Sequence, residues 1–309
     1  MSGADGVTVS TTGSVTVRVP AKVNVQLAVG GARADGFHDL ANVFLAVGLY
    51  DEVTVTPADT LRITCEGPDA AQVPLDRTNL AARAAEKLAA RYGRRADVHI
   101  HIAKDIPVAG GMAGGSADGA GALVACDALW GTGASRDELL EICAELGSDV
   151  PFSLVGGAAL GTGRGEKLRV LPVGGSFHWV FAVADGGLST PAVYGEFDRL
   201  NDGVAVPEPV ASGVLLDALA SGDVSALASA VTNDLQGAAL SLRPSLASTL
   251  AVGVEGGASA AIVSGSGPTT AFLVADAEAG AKVVDALVAA GVCRAARVAV
   301  GPVSGAVLL

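Results

Sequence analysis

Apolar and polar residues alternate along Val15-Thr-Val-Arg-Val19 and again along Val23-Asn-Val-Gln-Leu27. This is the period of a half-buried strand, and Pro20 marks a break between the two. Further strands are expected over 41–47, 52–56 and 61–65. The spacing then becomes helical over 79–92, with Leu80, Ala84, Leu88 and Tyr92 on one face and Gly93 as the stop. Alternation returns over 97–102. A glycine-rich turn follows, then a helix over 116–130, an amphipathic helix over 136–146 and a strand over 156–161. Gly161-Thr-Gly-Arg-Gly165 reads as a flexible junction. Beyond it, strands are expected at 178–184, 259–263, 270–275 and 295–299, and helices at 223–240, 242–253 and 278–291. The small, polar residues from 1 to about 13 are expected to fray.

Strands and helices mixed without a strict βαβ rhythm point to an α+β fold rather than a doubly wound sheet. A chain of 309 residues exceeds the usual size of one core. Two domains, 1–165 and 166–309, are therefore expected, divided at the glycine junction. Half the residues are apolar and 17% are charged, the balance of a folded chain. The 41 glycines are roughly twice ordinary usage, so tight turns recur. A net charge of −12 without a basic stripe excludes nucleic acid as a partner. Cys65, Cys126, Cys143 and Cys293 form no Cys-x-x-Cys pair and read as reduced, mostly buried thiols. No apolar run approaches the ~20 residues of a membrane span, and the first residues lack a basic leader. No membrane partner and a cytoplasmic location are expected.

The chemistry gathers first at Pro107-Val-Ala-Gly-Gly-Met-Ala-Gly-Gly-Ser116. Glycines lack a Cβ and accept positive φ, so consecutive N–H groups can surround an anion, and a helix starting at Ser116 adds its unpaired N–H groups. The run is not a P-loop, because Ser116 stands where the lysine belongs, and it has no G-x-G-x-x-G frame. The plain alternative is a glycine-rich helix start that binds nothing. His99 and His101 share a strand face but show no third ligand, so a structural role is expected. A hydrolase is disfavoured, since no Gly-x-Ser-x-Gly elbow occurs.

The stretch from 107 to 120 resembles the second motif of the GHMP kinases, with Met112 and Ala113 in place of Leu-Gly and Ala117 in place of a serine. Pro20-Ala-Lys-Val-Asn24 resembles the family's first motif and Ser264-Gly-Ser-Gly-Pro268 its third. The ordered set spans most of the chain. The resemblance implies a two-domain GHMP kinase fold: an N-terminal ribosomal-protein-S5-domain-2-like nucleotide-binding domain and a C-terminal ferredoxin-like α/β-sandwich domain. It also implies ATP and Mg²⁺, with ATP held by Asn79, Lys104, Pro107, Val108, Ala109, Gly110, Gly111, Met112, Ala113, Gly114, Gly115, Ser116 and Ala117. Ser116 is expected either to reach the metal or to serve as the helix N-cap.

Gly31-Ala-Arg-Ala-Asp-Gly-Phe-His38 resembles the loop, usually R-x-D-G-Y-H, of family members whose acceptor is a small molecule carrying a cytidine diphosphate. An aromatic ring can stack on a flat base and a histidine can bond its edge. The resemblance thus assigns Asn24, Phe37, His38 and Tyr194 to the acceptor. It assigns Asp149 as catalytic base and Lys22 as charge stabiliser, a lysine that would also hold the carboxylate ionised. Other readings stand beside these: a core aromatic for Phe37, a surface histidine for His38, a helix cap for Asp149 and a solvated strand residue for Lys22. Asn233-Asp-Leu-Gln236 is assigned a structural role. A monomer or homodimer is expected.

Overall fold

The structure, a computed structural model, describes residues 13–309. Of the fraying expected up to about residue 13, residues 1–12 lie outside it. The chain opens on two long strands, β1 (Val15–Ala32) and β2 (His38–Pro57), not on the four short ones expected. They pair antiparallel along most of their length. Pro20 does not end β1 because the register shifts there: Pro20 faces Tyr50 and Ala21 faces Val47, so Gly48 and Leu49 form a bulge that absorbs the missing N–H. A second shift, between Asn24 and Gln26, bends β1 again where it carries the first motif.

There follow β3 (Arg62–Glu66), α1 (Leu80–Arg91), β4 (Val98–Ala103), α2 (Gly114–Trp130), α3 (Arg136–Leu146), α4 (Val150–Val155), β5 (Ala158–Thr162) and β6 (Lys167–Val170). Caps set several starts. Asn79 accepts from Ala81 N–H at α1, and Ser135 with Glu138 forms a capping box at α3. Helix α2 is rich in Gly and Ala, so it lies close on the sheet. A Cβ on Gly121 would come within 2.8 Å of Val53.

The second half contains β7 (Phe177–Val183), α5 (Thr190–Leu200), α6 (Gly213–Ser221), α7 (Val224–Ala230), β8 (Thr232–Asn233) and α8 (Gln236–Leu242). It ends with α9 (Ser245–Glu255), β9 (Ala260–Val263), β10 (Thr270–Val274), α10 (Ala277–Ala289), β11 (Ala295–Gly301) and β12 (Val307–Leu308). Helices α5 and α6 were not expected. α5 buries only Val193 and Phe197, too short a pattern for periodicity to register. The helix expected over 223–240 is broken in the middle, because Thr232 and Asn233 pair in parallel with Gln26 and Leu27 of β1. A long-range ladder thus overrides local helical preference.

Among the described residues the first sheet has eight strands, with β12-β1-β2-β4-β3 as its main path, β5 joined to β2, β6 to β5, and β8 to β1. The second runs β11-β7-β10-β9, all antiparallel. Along β7, Phe177, Trp179 and Phe181 enter the core shared with the first sheet. Val180 and Ala182 face α10 through Val283 and Leu287. The resulting α+β arrangement opens a cleft where the glycine-rich turn, β1 and the second half meet.

Candidate active site

The glycine-rich turn joins β4 to α2. Ala109 (φ 52°), Gly111 (φ 74°) and Ala113 (φ 61°) are left-handed. Glycine is required at 111, where a Cβ would lie 2.0 Å from the Ser264 carbonyl oxygen. At Gly115 the same construction meets open space. Helix α2 begins at Gly114, two residues before the expected start, because left-handed Ala113 sets its direction. Ser116 is therefore inside the first turn and is not the N-cap. No side chain caps α2, and Gly114, Gly115 and Ser116 line the cleft. Unpaired N–H groups and the positive end of the helix dipole thus meet there, as an anion site requires.

Of the residues assigned to ATP, Ala109, Gly110, Gly111, Ala113, Gly114, Gly115 and Ser116 line the cleft, a cavity of about 750 Å³. Pro107, Val108, Met112 and Ala117 are not among the lining residues. Met112 and Ala117 are wholly buried, and the Met112 carbonyl accepts from the Lys22 backbone N–H. Nor are Asn79 and Lys104 brought to the cleft. Asn79 is spent on the α1 cap and on the Pro74 carbonyl. The Lys104 ammonium lies behind the turn, 2.5 Å from Asp51 and 2.9 Å from Asp118. Burial opposes its charge, yet the two carboxylates outweigh burial and raise its pKa. Burial, reinforced by Asp51, pushes the Asp118 carboxyl up. A Cβ on Gly114 would touch the Lys104 Nζ at 2.8 Å, so this buried cluster supports the turn from inside.

Lys22 and Asn24 are two apart on β1 and so share its cleft face. Lys22 is 4% exposed, which excludes a solvated strand residue. Its Nζ donates to Asn24 Oδ1 at 2.6 Å and to the Gly111 carbonyl at 2.8 Å, and lies 3.7 Å from Asp149 Oδ2. Burial lowers its pKa, partly opposed by Asp149. Asn24 also donates to Asn42 Oδ1 at 2.7 Å, so both ends of its amide are engaged in orienting the lysine. Asp149 precedes α4 but makes no capping hydrogen bond, so its partly exposed carboxylate is free for the cleft. The third motif closes this corner. Ser264 Oγ donates to the Gly111 carbonyl at 3.0 Å, and left-handed Gly265 packs against Lys22 and Asn24.

At the other end, Phe37 is 48% exposed and lines the cleft, so it is no core aromatic. His38 is buried rather than a surface histidine: Nε2 donates to Asp198 Oδ1 at 2.8 Å and its ring lies 4.9 Å from that of Tyr194. Burial, with the charge of Asp149 added, raises the Tyr194 phenol above its ordinary range, so it stays neutral. Asn233 donates to the carbonyls of Val263 and Gly265, Asp234 accepts from Val29 N–H, and Gln236 accepts from Val263 N–H. That segment stitches β1 to the third motif. Cleft residues that sequence reasoning missed include Asn42, Ser148, Arg164 and Thr190. Arg164 carries a signal, since it sits inside the Gly-x-Gly-x-Gly run over 161–165. His99 and His101 both bond the Thr64 hydroxyl, and among the described residues no cluster of three or more His, Cys, Asp or Glu could hold a metal.

A glycine-lined anion cradle, a buried lysine and an aspartate paired with it in one cleft are the parts of a phosphotransferase. Residues 79–157 match the family "GHMP kinases N terminal domain" and residues 215–293 match "GHMP kinases C terminal". A 4-diphosphocytidyl-2-C-methyl-D-erythritol kinase of Streptomyces avermitilis is 80% identical over 296 residues, covering 96% of this chain and all of that protein. Its counterpart in Streptomyces coelicolor is 76% identical over 297 residues, covering 96% and 99%. A crystal structure of 4-(cytidine 5'-diphospho)-2C-methyl-D-erythritol kinase superposes with a TM-score of 0.75 at 30% identity, covering 92% of this chain and 98% of that one. The chain belongs to the GHMP kinases and, within them, to the 4-diphosphocytidyl-2-C-methyl-D-erythritol kinase family.

Proposed function

We propose that this kinase uses Asp149 as base and Lys22 as charge stabiliser to phosphorylate the 2-hydroxyl of 4-(cytidine 5'-diphospho)-2-C-methyl-D-erythritol. The reaction belongs to the non-mevalonate (methylerythritol phosphate) route to isoprenoid precursors. One observation carries the assignment of roles: the Lys22 ammonium bridges the Gly111 carbonyl of the phosphate turn and the Asp149 carboxylate. A base for the acceptor and a cation for the transferred group are thus held side by side.

ATP supplies the phosphoryl group, and Mg²⁺ would offset the charge of its phosphates. The open space over Gly115 and the uncapped start of α2 suit a triphosphate. The Ser116 hydroxyl, in the first turn of α2 and lining the cleft, would be the protein's contribution to holding the metal. Asp149 takes the proton of the acceptor hydroxyl as the oxygen becomes a nucleophile. Lys22, 3.7 Å from that carboxylate, faces the charge that develops during transfer. Asn24 keeps Lys22 aimed. Phe37 and Tyr194 offer faces to the cytosine. With Nε2 committed to Asp198, Nδ1 is the ring nitrogen of His38 left for the edge of the base. The cytoplasm, where ATP is abundant, suits this reaction.

A coupled assay with Mg·ATP tests the reaction. Turnover is expected with the cytidine-diphosphate methylerythritol and not with homoserine or phosphomevalonate, and the opposite pattern would discard the acceptor. The pH profile offers a second check. Lys22 loses its proton more readily than an ordinary lysine, whose pKa is 10.5. The cation is therefore lost as pH rises, and the alkaline limb of kcat/KM is expected to fall below pH 10.5. An activity that stays level beyond that pH would remove Lys22's charge from the mechanism.

A further inference from the structure

The Gly161-Thr-Gly-Arg-Gly165 segment is the tight turn of the β5–β6 hairpin, not the flexible junction expected. Gly163 (φ 69°) and Gly165 (φ 110°) are left-handed, and the Gly165 N–H donates to the Thr162 carbonyl at 3.1 Å. The Glu166 carboxylate accepts from the Arg164 backbone N–H at 2.8 Å. The backbone at Arg164 is thereby fixed while its side chain reaches the cleft. There the guanidinium rests over the Phe37 ring, 5.1 Å from its centroid. Its nearest carboxylate oxygen, on Glu166, is 4.0 Å from Nε. Both are weak partners at a partly exposed site, so the planar fork of donors is available.

Among the described residues lining the cleft, Lys22 and Arg164 are the only lysine or arginine. Lys22 is already held by Asn24, Gly111 and Asp149, beside the phosphate cradle. An acceptor carrying two phosphates between its base and its alcohol brings charge into a cleft that has one other cation to meet it. Arginine presents paired N–H donors in the geometry that phosphate oxygens accept. We propose that Arg164 binds the diphosphate of the acceptor, and so sets the span between the base at Phe37 and the hydroxyl at Asp149. This rests on the cytidine diphosphate acceptor assigned above.

The test compares CDP with cytidine by calorimetry on the full chain, with a non-hydrolysable ATP analogue saturating the phosphate cradle so that CDP does not enter it. The parent is expected to bind CDP more tightly than cytidine. Arg164→Gln is expected to weaken CDP by about 10- to 100-fold, the loss of hydrogen bonds to a charged group, while cytidine changes by less than about threefold. Arg164→Lys keeps the charge without the fork and should fall between. An equal loss for both ligands would mean that Arg164 only supports the Phe37 ring, and would overturn the proposal. So would an unchanged CDP affinity. A parent that binds the ATP analogue but neither cytidine ligand would bring down the acceptor assignment itself, and this inference with it.

Discussion

Asp149→Asn is expected to lower kcat by about 10²- to 10⁴-fold, the span of general-base removal, with ATP affinity held within about twofold. Asparagine matches the carboxylate in shape, and Asp149 makes no capping bond to α4, so the helix loses no partner. What is lost is the proton acceptor in the cleft and the anion 3.7 Å from Lys22 Nζ. Without that anion, burial lowers the lysine pKa further, since the carboxylate was opposing it. The variant should therefore lose the base and part of the cation's charge together. Steady-state kinetics and a melting curve suffice to check it. A folded variant with kcat within about threefold of the parent would end the role assigned to Asp149 and leave only the family in place.

Lys104→Met is the second large effect, and here stability should respond before catalysis. The ammonium lies between Asp51 and Asp118, both almost wholly buried. Removing it strands two carboxylates away from water, which costs about 3–5 kcal/mol. Against the roughly 5–15 kcal/mol that separates folded from unfolded chains, such a loss should lower the urea midpoint markedly. Asp51 keeps the N–H groups of Asp105 and Ile106, each at 2.8 Å, whereas one oxygen of Asp118 has no partner at all. Adding Asp118→Asn is accordingly expected to return part of the stability. If Lys104→Met raised the KM for ATP while leaving the urea midpoint where it was, the lysine would be an ATP contact, as the family resemblance implies, and not the support of Gly114.

These two residues also separate what local sequence carries from what it does not. Periodicity placed most strands and helices, and the α+β class followed from their order. The motifs led to Lys22, Asp149 and the turn at Gly110 to Ser116, because anion binding by backbone N–H groups needs glycines at close spacing and nothing distant. The same local reasoning divided β1 at Pro20, since a bulge that absorbs a proline depends on Gly48 and Leu49 in the partner strand. It drew one helix through Thr232, since the ladder that breaks it comes from Gln26 and Leu27.

Sequence by itself determined that this chain carries a glycine turn suited to an anion, that three ordered motifs accompany it, and that Phe37 and His38 follow a turn. The tertiary structure decided which way each side chain faces. Lys104 turns inward to two carboxylates and Asn24 links Lys22 to Asn42, while Arg164 comes through a hairpin turn to the cleft. The reason is physical: spacing along the chain sets backbone period and turn geometry, whereas the partner of a charge is chosen by residues tens to hundreds of positions away. Only their packing together determines whether a cation is spent within the core or left for a ligand.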